Sequence, residues 1–236
     1  GLVKKEYDWD FAGAEQAFSR ALTLNPSYPT AHHWRAENLV TLQRLTEALE
    51  SMKRALELDP FSLDINRNTV PQLQYAARYD EALLQNKKLN ELFPNEQQFH
   101  SRNSGIYANQ GKYDQAVEEY LLSAKLNKDF KPENIAKLKV AYEKSGWDGY
   151  GQMRQEIRLE ELNAKQAKDP NGFVKAMDFA EAYALGKDKD KTIEYLNKAY
   201  EERDFRMLEL KVNKTWDFVR DDPRFKELVK KVGIPE

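Results

Sequence analysis

The feature that most constrains the fold of this chain is a repeat with a period of 34 residues. The heptapeptide RALTLNP at residues 20–26 returns as RALELDP at residues 54–60. Four columns of similar side chains keep this interval, namely Phe11, Leu45, Tyr79 and Tyr113; Ala14, Ala48, Ala82 and Ala116; Leu24, Leu58, Leu92 and Leu126; and Pro26, Pro60 and Pro94. A repeat of this length indicates units that stack, because one unit cannot bury its apolar face alone.

Each unit is interpreted as two helices joined by a tight turn. Proline cannot continue a helix, so the recurring Leu-x-Pro marks the end of every second helix. Gly111 in the turn NQGKYDQA (109–116) suits the left-handed residue that ends a first helix. The alanine column predicts a close crossing of the two helices. Glycine and proline are scarce, at 10 and 9 of 236 residues, which also favours helices.

These features resemble the tetratricopeptide repeat family over residues 9–127, in the period, the alanine and proline columns and the aromatic residue beside the turn. The resemblance implies an all-α fold, a right-handed superhelix or α-solenoid of about six helix pairs with a C-terminal capping helix. Two columns depart from the family pattern. The large residue in the middle of the second helix is replaced by Asn86 in the third repeat, and the first-helix glycine column reads Ala36, Val70 and Ser104.

The chain is predicted to divide into three parts. Residues 1–128 hold four repeats, the first of them truncated; residues 129–204 hold two divergent repeats; and residues 205–236 form a capping segment. In the middle part we expect helices at 135–147 and 149–168 and a sixth repeat at 179–204. The last helix should begin near Asp222–Pro223 and stop at Gly233 and Pro235. The stripe expected to cover the last repeat comprises Phe225, Leu228, Val229 and Val232.

A narrower resemblance rests on the stretches TAHHWRAENL, SGWDGY, DKDKTIEYLNKAYEERD and DPRFKELVKKVGIP. Together they are similar to the C-terminal repeat region of large bacterial regulatory proteins. In that group, such repeats follow a winged-helix DNA-binding domain, a kinase or cyclase domain, or a TolB-like segment. Only a turn or two of the first helix precedes Phe11, so we expect a fragment of a longer protein; a short, frayed first helix in a complete protein is the alternative.

Composition and motifs argue against several classes of function. The formal net charge of −2 does not favour a nucleic-acid surface, and the absence of cysteine rules out cysteine-based catalysis and metal sites. No apolar run approaches the roughly 20 residues of a membrane span. We expect a cytoplasmic location, with the periplasm as the alternative, and neither nucleic acid nor membrane as a partner.

No catalytic motif is present, so the sequence predicts a protein that is not an enzyme and has no cofactor. His32 falls in the column where the family places a first-helix tryptophan, which indicates packing. His33 and Glu37 lie four residues apart on one helix face and could hold a metal weakly, but no third ligand is near in sequence, and we predict no metal site. GWDGYG (146–151) and DKDK (188–191) are interpreted as turns.

The resemblance implies that the first helices line a concave groove, with the second, fifth, sixth, ninth and twelfth positions of each repeat facing it. A protein or peptide partner is expected to lie there as an extended peptide or a helix. The predicted partner-binding residues are Thr30, His33, Trp34, Glu37, Asp64, Arg67, Asn68, Pro71, Gln74, Gln98, Ser101 and Arg102; Val40, Gly105 and Ala108 complete the exposed groove positions. The family's Lys-Asn-Asn-Lys-Arg clamp for a peptide carboxylate is not reproduced.

Pro71 is predicted to bend the first helix of repeat three, since it removes the amide that would bond to the carbonyl of Arg67. That carbonyl would then point at the groove.

Two hypotheses on function remain open at this point. The chain is either an interaction module that binds a protein segment in the groove, or a sensory or regulatory domain that acts on its own upstream effector domain.

Overall fold

The computed structural model describes residues 1–168 and 173–235, and within them every regular element is helical. Residues 169–172, inside the predicted divergent repeats, and Glu236 of the predicted capping segment lie outside the described residues. The described chain forms two compact bodies, the N-terminal body at Gly1–Lys128 and the C-terminal body at Asp129–Ile234. Each body buries apolar side chains of its own. The all-α prediction is confirmed.

The N-terminal body follows the predicted order of first and second helices. A short π-helical segment, Lys4–Asp8, stands where the last turns of the first helix of repeat one are expected. The helices that follow are α1 (Phe11–Leu24), α2 (Pro29–Thr41), α3 (Leu45–Leu58), α4 (Leu63–Tyr75), α5 (Tyr79–Leu92), α6 (Glu96–Asn109) and α7 (Tyr113–Leu126). Helices α2, α4 and α6 are first helices and pack against the second helices α3, α5 and α7.

The turn inside each repeat uses one left-handed residue. Gly111 has φ 74°, as its sequence context predicts, and the equivalent residues Trp9, Gln43 and Ala77 have φ between 55° and 58°. In three of these turns the next residue donates its amide to a carbonyl five residues earlier, as Arg78 does to Leu73 at 2.8 Å. This bond satisfies a carbonyl that the helix end leaves free. The same left-handed turn conformation therefore recurs in four repeats, although only one of the four residues is glycine.

The alanine column lies where paired helices cross. Each of the four alanines is at most 1% exposed, which confirms the predicted close crossing.

Asn86, which replaces the large residue of the family pattern in repeat three, is fully buried. Its Nδ2 donates to Oδ1 of Asn103 at 2.8 Å and to the carbonyl of Phe99 at 3.0 Å. A polar pair between repeats three and four thus replaces an apolar contact. The hydrogen bonds of Asn86 Nδ2 offset part of the desolvation of the amide, while its buried Oδ1 has no hydrogen-bond partner among the described residues.

The C-terminal body begins with a long helix, α8 (Pro132–Lys168), which is interrupted at Gly146. Gly146 has φ 60° and ψ −148°, a conformation open essentially to glycine alone. The break lies at residue 146, inside the first of the two helices predicted at 135–147 and 149–168. The interpretation of GWDGYG (146–151) as a turn is wrong beyond Gly146, because residues 147–151 are helical. Helix α8 packs on α9 (Ala176–Leu185), and α9 packs on α10 (Lys189–Glu201). The sixth repeat therefore starts slightly before the predicted residue 179.

The predicted capping helix is present. Two 3₁₀ segments, Phe205–Glu209 and Lys214–Val219, lead into α11 (Pro223–Val232), which contacts α10. The Asp222 carboxylate accepts a hydrogen bond from the Arg224 amide at 2.9 Å, and Gly233 ends the helix with φ 80°. The predicted covering stripe is buried, with exposures of 9% or less at Phe225, Leu228, Val229 and Val232.

Candidate partner-binding surface

The predicted groove positions lie on the first helices α2, α4 and α6 of the N-terminal body, with mixed exposure. Thr30, Asp64, Arg67, Gln98 and Ser101 are exposed. The half-buried positions are Trp34, Glu37, Asn68, Pro71, Gln74, Arg102 and Ala108, while Gly105 is exposed. The prediction of exposure is wrong for His33 and Val40, which are each 4% exposed. The His33 ring stacks on Trp34, with ring centroids 4.8 Å apart.

His33 is buried because it belongs to a polar cluster, the Glu37 network, formed by Lys5, His33, Glu37 and Asn68. The Lys5 ammonium lies 2.9 Å from one oxygen of Glu37. The other oxygen accepts from the Asn68 amide at 2.9 Å and lies 3.2 Å from Nε2 of His33. The Asn68 amide nitrogen is also 2.9 Å from Nε2 of His33. Both carboxylate oxygens are engaged, so the pair suggested as a weak metal site is already occupied by protein groups.

The groove prediction did not include Lys5. The repeat nevertheless marks this lysine, because it stands in a column that is otherwise apolar. In the 34-residue register its column reads Leu39, Leu73 and Tyr107 in the later repeats. The Lys5 side chain is only 7% exposed, and its ammonium lies 5.8 Å from the centre of the Trp34 ring. A buried ammonium needs a counter-charge, and Glu37 supplies it. A lysine in an apolar column is thus compensated by a glutamate 32 residues away.

The electrostatics of Glu37 follow from these contacts. Burial by itself would raise the pKa of Glu37, but the hydrogen bond from His33 and the charge of Lys5 outweigh it and lower the pKa to about 2. Glu37 is therefore ionised throughout the physiological range. The network fastens the N-terminal segment to α2 and α4, and its members are committed to one another.

The open part of the groove is an arginine strip on α4 and α6, formed by Asp64, Arg67, Gln98, Ser101 and Arg102. Arg67 pairs with Asp64 at 2.9 Å. Arg102 donates to the side-chain oxygen of Gln98 at 2.9 Å and has no carboxylate partner among the described residues. Burial lowers the pKa of Arg102, and the charge of Arg67 lowers it further. Arg67 and Arg102 stand on adjacent first helices, so an anion bound beside both guanidinium groups would be favoured.

Of the four remaining groove residues, Thr30 and Trp34 lie on α2, and Pro71 and Gln74 lie on α4. This helix is continuous from Leu63 to Tyr75, with Pro71 in its interior. The bend at Pro71 stays a prediction. The Gln74 side chain accepts from Nδ2 of Asn109 on α6 at 3.0 Å, which ties the two first helices together beyond the arginine strip.

A second concave feature of the N-terminal body was not predicted. A cleft of about 750 Å³ lies between the second helices α3 and α5, with residues of α4 as its floor. Leu49 and Leu56 line one wall, Leu84 lines the other, and Leu73 contributes to the floor. We call it the α3–α5 cleft. The exposed Leu84 on α5 was the available signal, but a single exposed leucine is common on a helix surface.

In the C-terminal body, charged side chains gather around Arg206. Its guanidinium bonds to Asp178 at 2.8 Å, to Asp204 at 2.9 Å and to Glu181 at 3.1 Å. The Asp204 side chain is 1% exposed and also accepts from the Arg206 amide, so it fixes the start of the 3₁₀ segment that follows α10. These bonds hold the capping segment to α9. The Arg206 guanidinium and the three carboxylates around it are paired with one another.

Among residues 1–168 and 173–235, no helix is long and apolar enough to cross a lipid bilayer. The same residues contain no group of three His, Asp or Glu side chains placed to hold a metal ion.

Comparison with known families agrees with the repeat geometry. Two family models, both described as tetratricopeptide repeat, match residues 10–62 and 104–130. The chain carries tetratricopeptide repeats. The matched segments include α1 to α3 and α7, and the tetratricopeptide columns of α4 to α6 keep the same register between them. No curated protein matches the chain significantly.

Several solved structures are similar to this tetratricopeptide-repeat chain. YrrB, described as a TPR protein with an unusual peptide-binding site, is 18% identical with a TM-score of 0.41, and the match covers 84% of this chain and 97% of YrrB. A tetratricopeptide repeat protein from Parabacteroides merdae is 18% identical with a TM-score of 0.47, covering 98% and 97% of the two chains. The APC/C hetero-tetramer Cut9–Hcn1 is 14% identical with a TM-score of 0.48, covering 94% of this chain and 40% of the other.

Proposed function

We propose that this chain is a non-catalytic protein-interaction module and that its arginine strip binds an extended segment of a partner protein. The observation that carries the proposal is the pair Arg67 and Arg102, which stand on adjacent first helices; Arg67 pairs with Asp64, and Arg102 has no carboxylate partner among the described residues. An acidic side chain or a chain-terminal carboxylate of the partner would relieve the repulsion between them and accept their hydrogen bonds.

The remaining surface of the strip suits a polypeptide backbone. Gln98 and Ser101 are exposed and can exchange hydrogen bonds with peptide groups. Gly105, one turn further along α6, has open space where a side chain would stand, so a bound chain can approach the helix closely there. An extended segment needs such partners for its backbone, and the strip provides them.

The proposed site is smaller than the twelve residues predicted from the sequence. His33, Glu37 and Asn68 are engaged with one another and with Lys5, and freeing them would expose a buried ion pair. We therefore place the binding surface on α4 and α6, where Asp64, Arg67 and Arg102 meet solvent, and we assign α2 to anchoring the N-terminal segment.

The test is selection of 12-residue peptides displayed on phage against the whole chain, followed by affinity measurement on the enriched sequences. Enriched peptides are expected to share an acidic residue, and Arg102→Ala should weaken binding by roughly ten- to a hundredfold, the effect of losing a charge-assisted hydrogen bond. Arg54→Ala is the control matched to Arg67→Ala, because Arg54, like Arg67, pairs with an acid three residues away but lies on α3. Enriched peptides that bind Arg67→Ala and Arg102→Ala as tightly as the unaltered chain would refute the proposal.

A further inference from the structure

The α3–α5 cleft is separate from the groove of the first helices, because its walls are second helices. Its floor contains Leu73, which is 8% exposed, its α3 wall contains Met52, which is 1% exposed, and its rim carries Leu84, which is 54% exposed. A leucine this exposed beside a cleft with an apolar floor leaves a continuous apolar surface facing water.

The repeat register singles out Leu84 on this surface. The residues equivalent to Leu84 in the neighbouring repeats are Glu50 and Glu118. Leu49 and Leu56 are half-buried and pack against the apolar clusters of the N-terminal body, so repeat stacking accounts for part of their surface. Packing of the tetratricopeptide fold does not require leucine at residue 84, since the neighbouring repeats place glutamate there. Leu84 therefore calls for a role other than repeat stacking.

Several polar groups of the cleft are already bonded within the protein. The Thr69 hydroxyl donates to the carbonyl of Ile65 at 2.7 Å, and the Gln85 amide donates to Asn66 at 2.9 Å. On the rim, Arg78 and Glu81 pair with each other. An extended chain would leave its backbone unpaired against the leucines, whereas a helix satisfies its own backbone and needs only an apolar face. Helices α3 and α5 each have 14 residues, so the cleft has the length of about four helical turns.

The rim is basic at one end. Lys53 and Lys88 stand at positions 25 and 26 of their repeats, so they lie at the same height on the two walls. Neither lysine has a carboxylate partner among the described residues. Acidic side chains on a bound helix would meet both lysines at this end of the cleft.

We propose that the α3–α5 cleft binds an amphipathic α-helix of a partner protein. The helix would place leucine-like residues at i, i+4 and i+7 against Leu49, Leu56 and Leu84, and acidic residues over Lys53 and Lys88. This binding surface is independent of the arginine strip, so the chain can engage two segments of a partner, one extended and one helical.

The probe is a stapled helical peptide of about 15 residues with a leucine stripe of that spacing and glutamates at one end, and the readout is fluorescence polarisation against the whole chain. The acidic probe should bind about tenfold or more tightly than the same peptide with lysines for glutamates. Leu84→Glu, which restores the glutamate of the neighbouring repeats, should weaken binding about tenfold or more. Lys88→Glu should reverse the preference between the two probes.

Lys87→Glu is the matched control, because Lys87 lies on the same helix, pairs with Glu91 and does not line the cleft. Arg102→Ala should also leave probe binding unchanged, which separates this proposal from the one on the arginine strip. Equal binding of the probe to Leu84→Glu, Lys88→Glu and the unaltered chain, or no binding to any of them, would overturn the proposal. So would sedimentation showing that the chain self-associates and that Leu84→Glu abolishes it, since the occupant would then be a second copy.

Discussion

At the residue scale, four different side chains occupy one backbone conformation. Trp9, Gln43, Ala77 and Gly111 all have φ between 55° and 74° at the same position of successive repeats. A residue with a Cβ atom pays about 1 kcal/mol or more for this left-handed conformation, whereas glycine does not. The hydrogen bond of the following amide to the first helix is retained in the later turns whichever residue is present.

We expect Ala77→Gly to raise the free energy of unfolding by about 1 kcal/mol and Gly111→Ala to lower it by about the same amount. A Cβ atom at Gly111 would meet open space, so its effect comes from the backbone and not from a clash. Urea unfolding followed by circular dichroism measures both changes.

Gly105→Ala provides the control for the turn variants. This glycine lies inside α6, and a Cβ atom would again meet open space, so alanine should stabilise the helix by about 1 kcal/mol. Equal effects of alanine at residues 105 and 111 would show that the turn conformation is not the cause.

At the element scale, the Glu37 network joins three elements that are distant in sequence. Lys5 belongs to the π-helical segment, Glu37 to α2 and Asn68 to α4. Because the folded pKa of Glu37 is about 2, below its ordinary value of 4.5, ionised Glu37 stabilises the folded state above about pH 4.5. That contribution is lost as the pH falls from 4.5 towards 2.

Glu37→Gln is expected to lower the free energy of unfolding by about 2–3 kcal/mol at pH 7, since Lys5 then lacks its counter-charge. The difference from the unaltered chain should shrink between pH 4.5 and 2, measured as urea unfolding at each pH. Glu57→Gln, which breaks an exposed pair with Arg54, should change stability by less than about 1 kcal/mol at any pH. A difference for Glu37→Gln that is constant with pH would contradict the assignment.

At the scale of the whole molecule, the N-terminal body carries a core of its own. Val70, Leu89 and Ile106 are each at most 2% exposed and belong to one cluster that spans repeats three and four. A second cluster around Met52 joins repeats two and three. In a repeat protein, stability is the sum of such neighbour contacts, so a body with complete helix pairs can fold without the rest of the chain.

We expect a fragment of residues 1–128 to give a helical circular dichroism spectrum and a cooperative thermal transition. A fragment of residues 1–111 should unfold at a clearly lower temperature, because it lacks α7, whose residues Ala116, Val117 and Leu121 are buried. If the longer fragment showed no cooperative transition, the independence of this body would be disproved.

Tetratricopeptide repeats are shown at residues 10–62 and 104–130, whereas two finer hypotheses are not tested by the fold. The likeness to C-terminal regions of bacterial regulators stays a prediction, and so does regulation of an upstream effector domain. The interaction function is supported at the level of tetratricopeptide repeats, and the position of the binding surface is our proposal.

The sequence by itself determined the elements of this protein. Helix ends at Leu-x-Pro, the turn at Gly111, the break at Gly146 and the stripe of α11 are all local signals, because helical hydrogen bonds and caps form between residues near in sequence. A fixed period of 34 residues then implied that the helix pairs stack.

Only the tertiary structure decided which side chains meet across repeats. The burial of His33, the pairing of Lys5 with Glu37 and the bond between Asn86 and Asn103 depend on distances between helices that the period does not specify. The α3–α5 cleft likewise depends on tertiary structure, because three separate helices form its walls and its floor. A repeat pattern fixes which face of a helix is apolar, but the free energy of a charge or a leucine on that face is set by the neighbours that the fold brings to it.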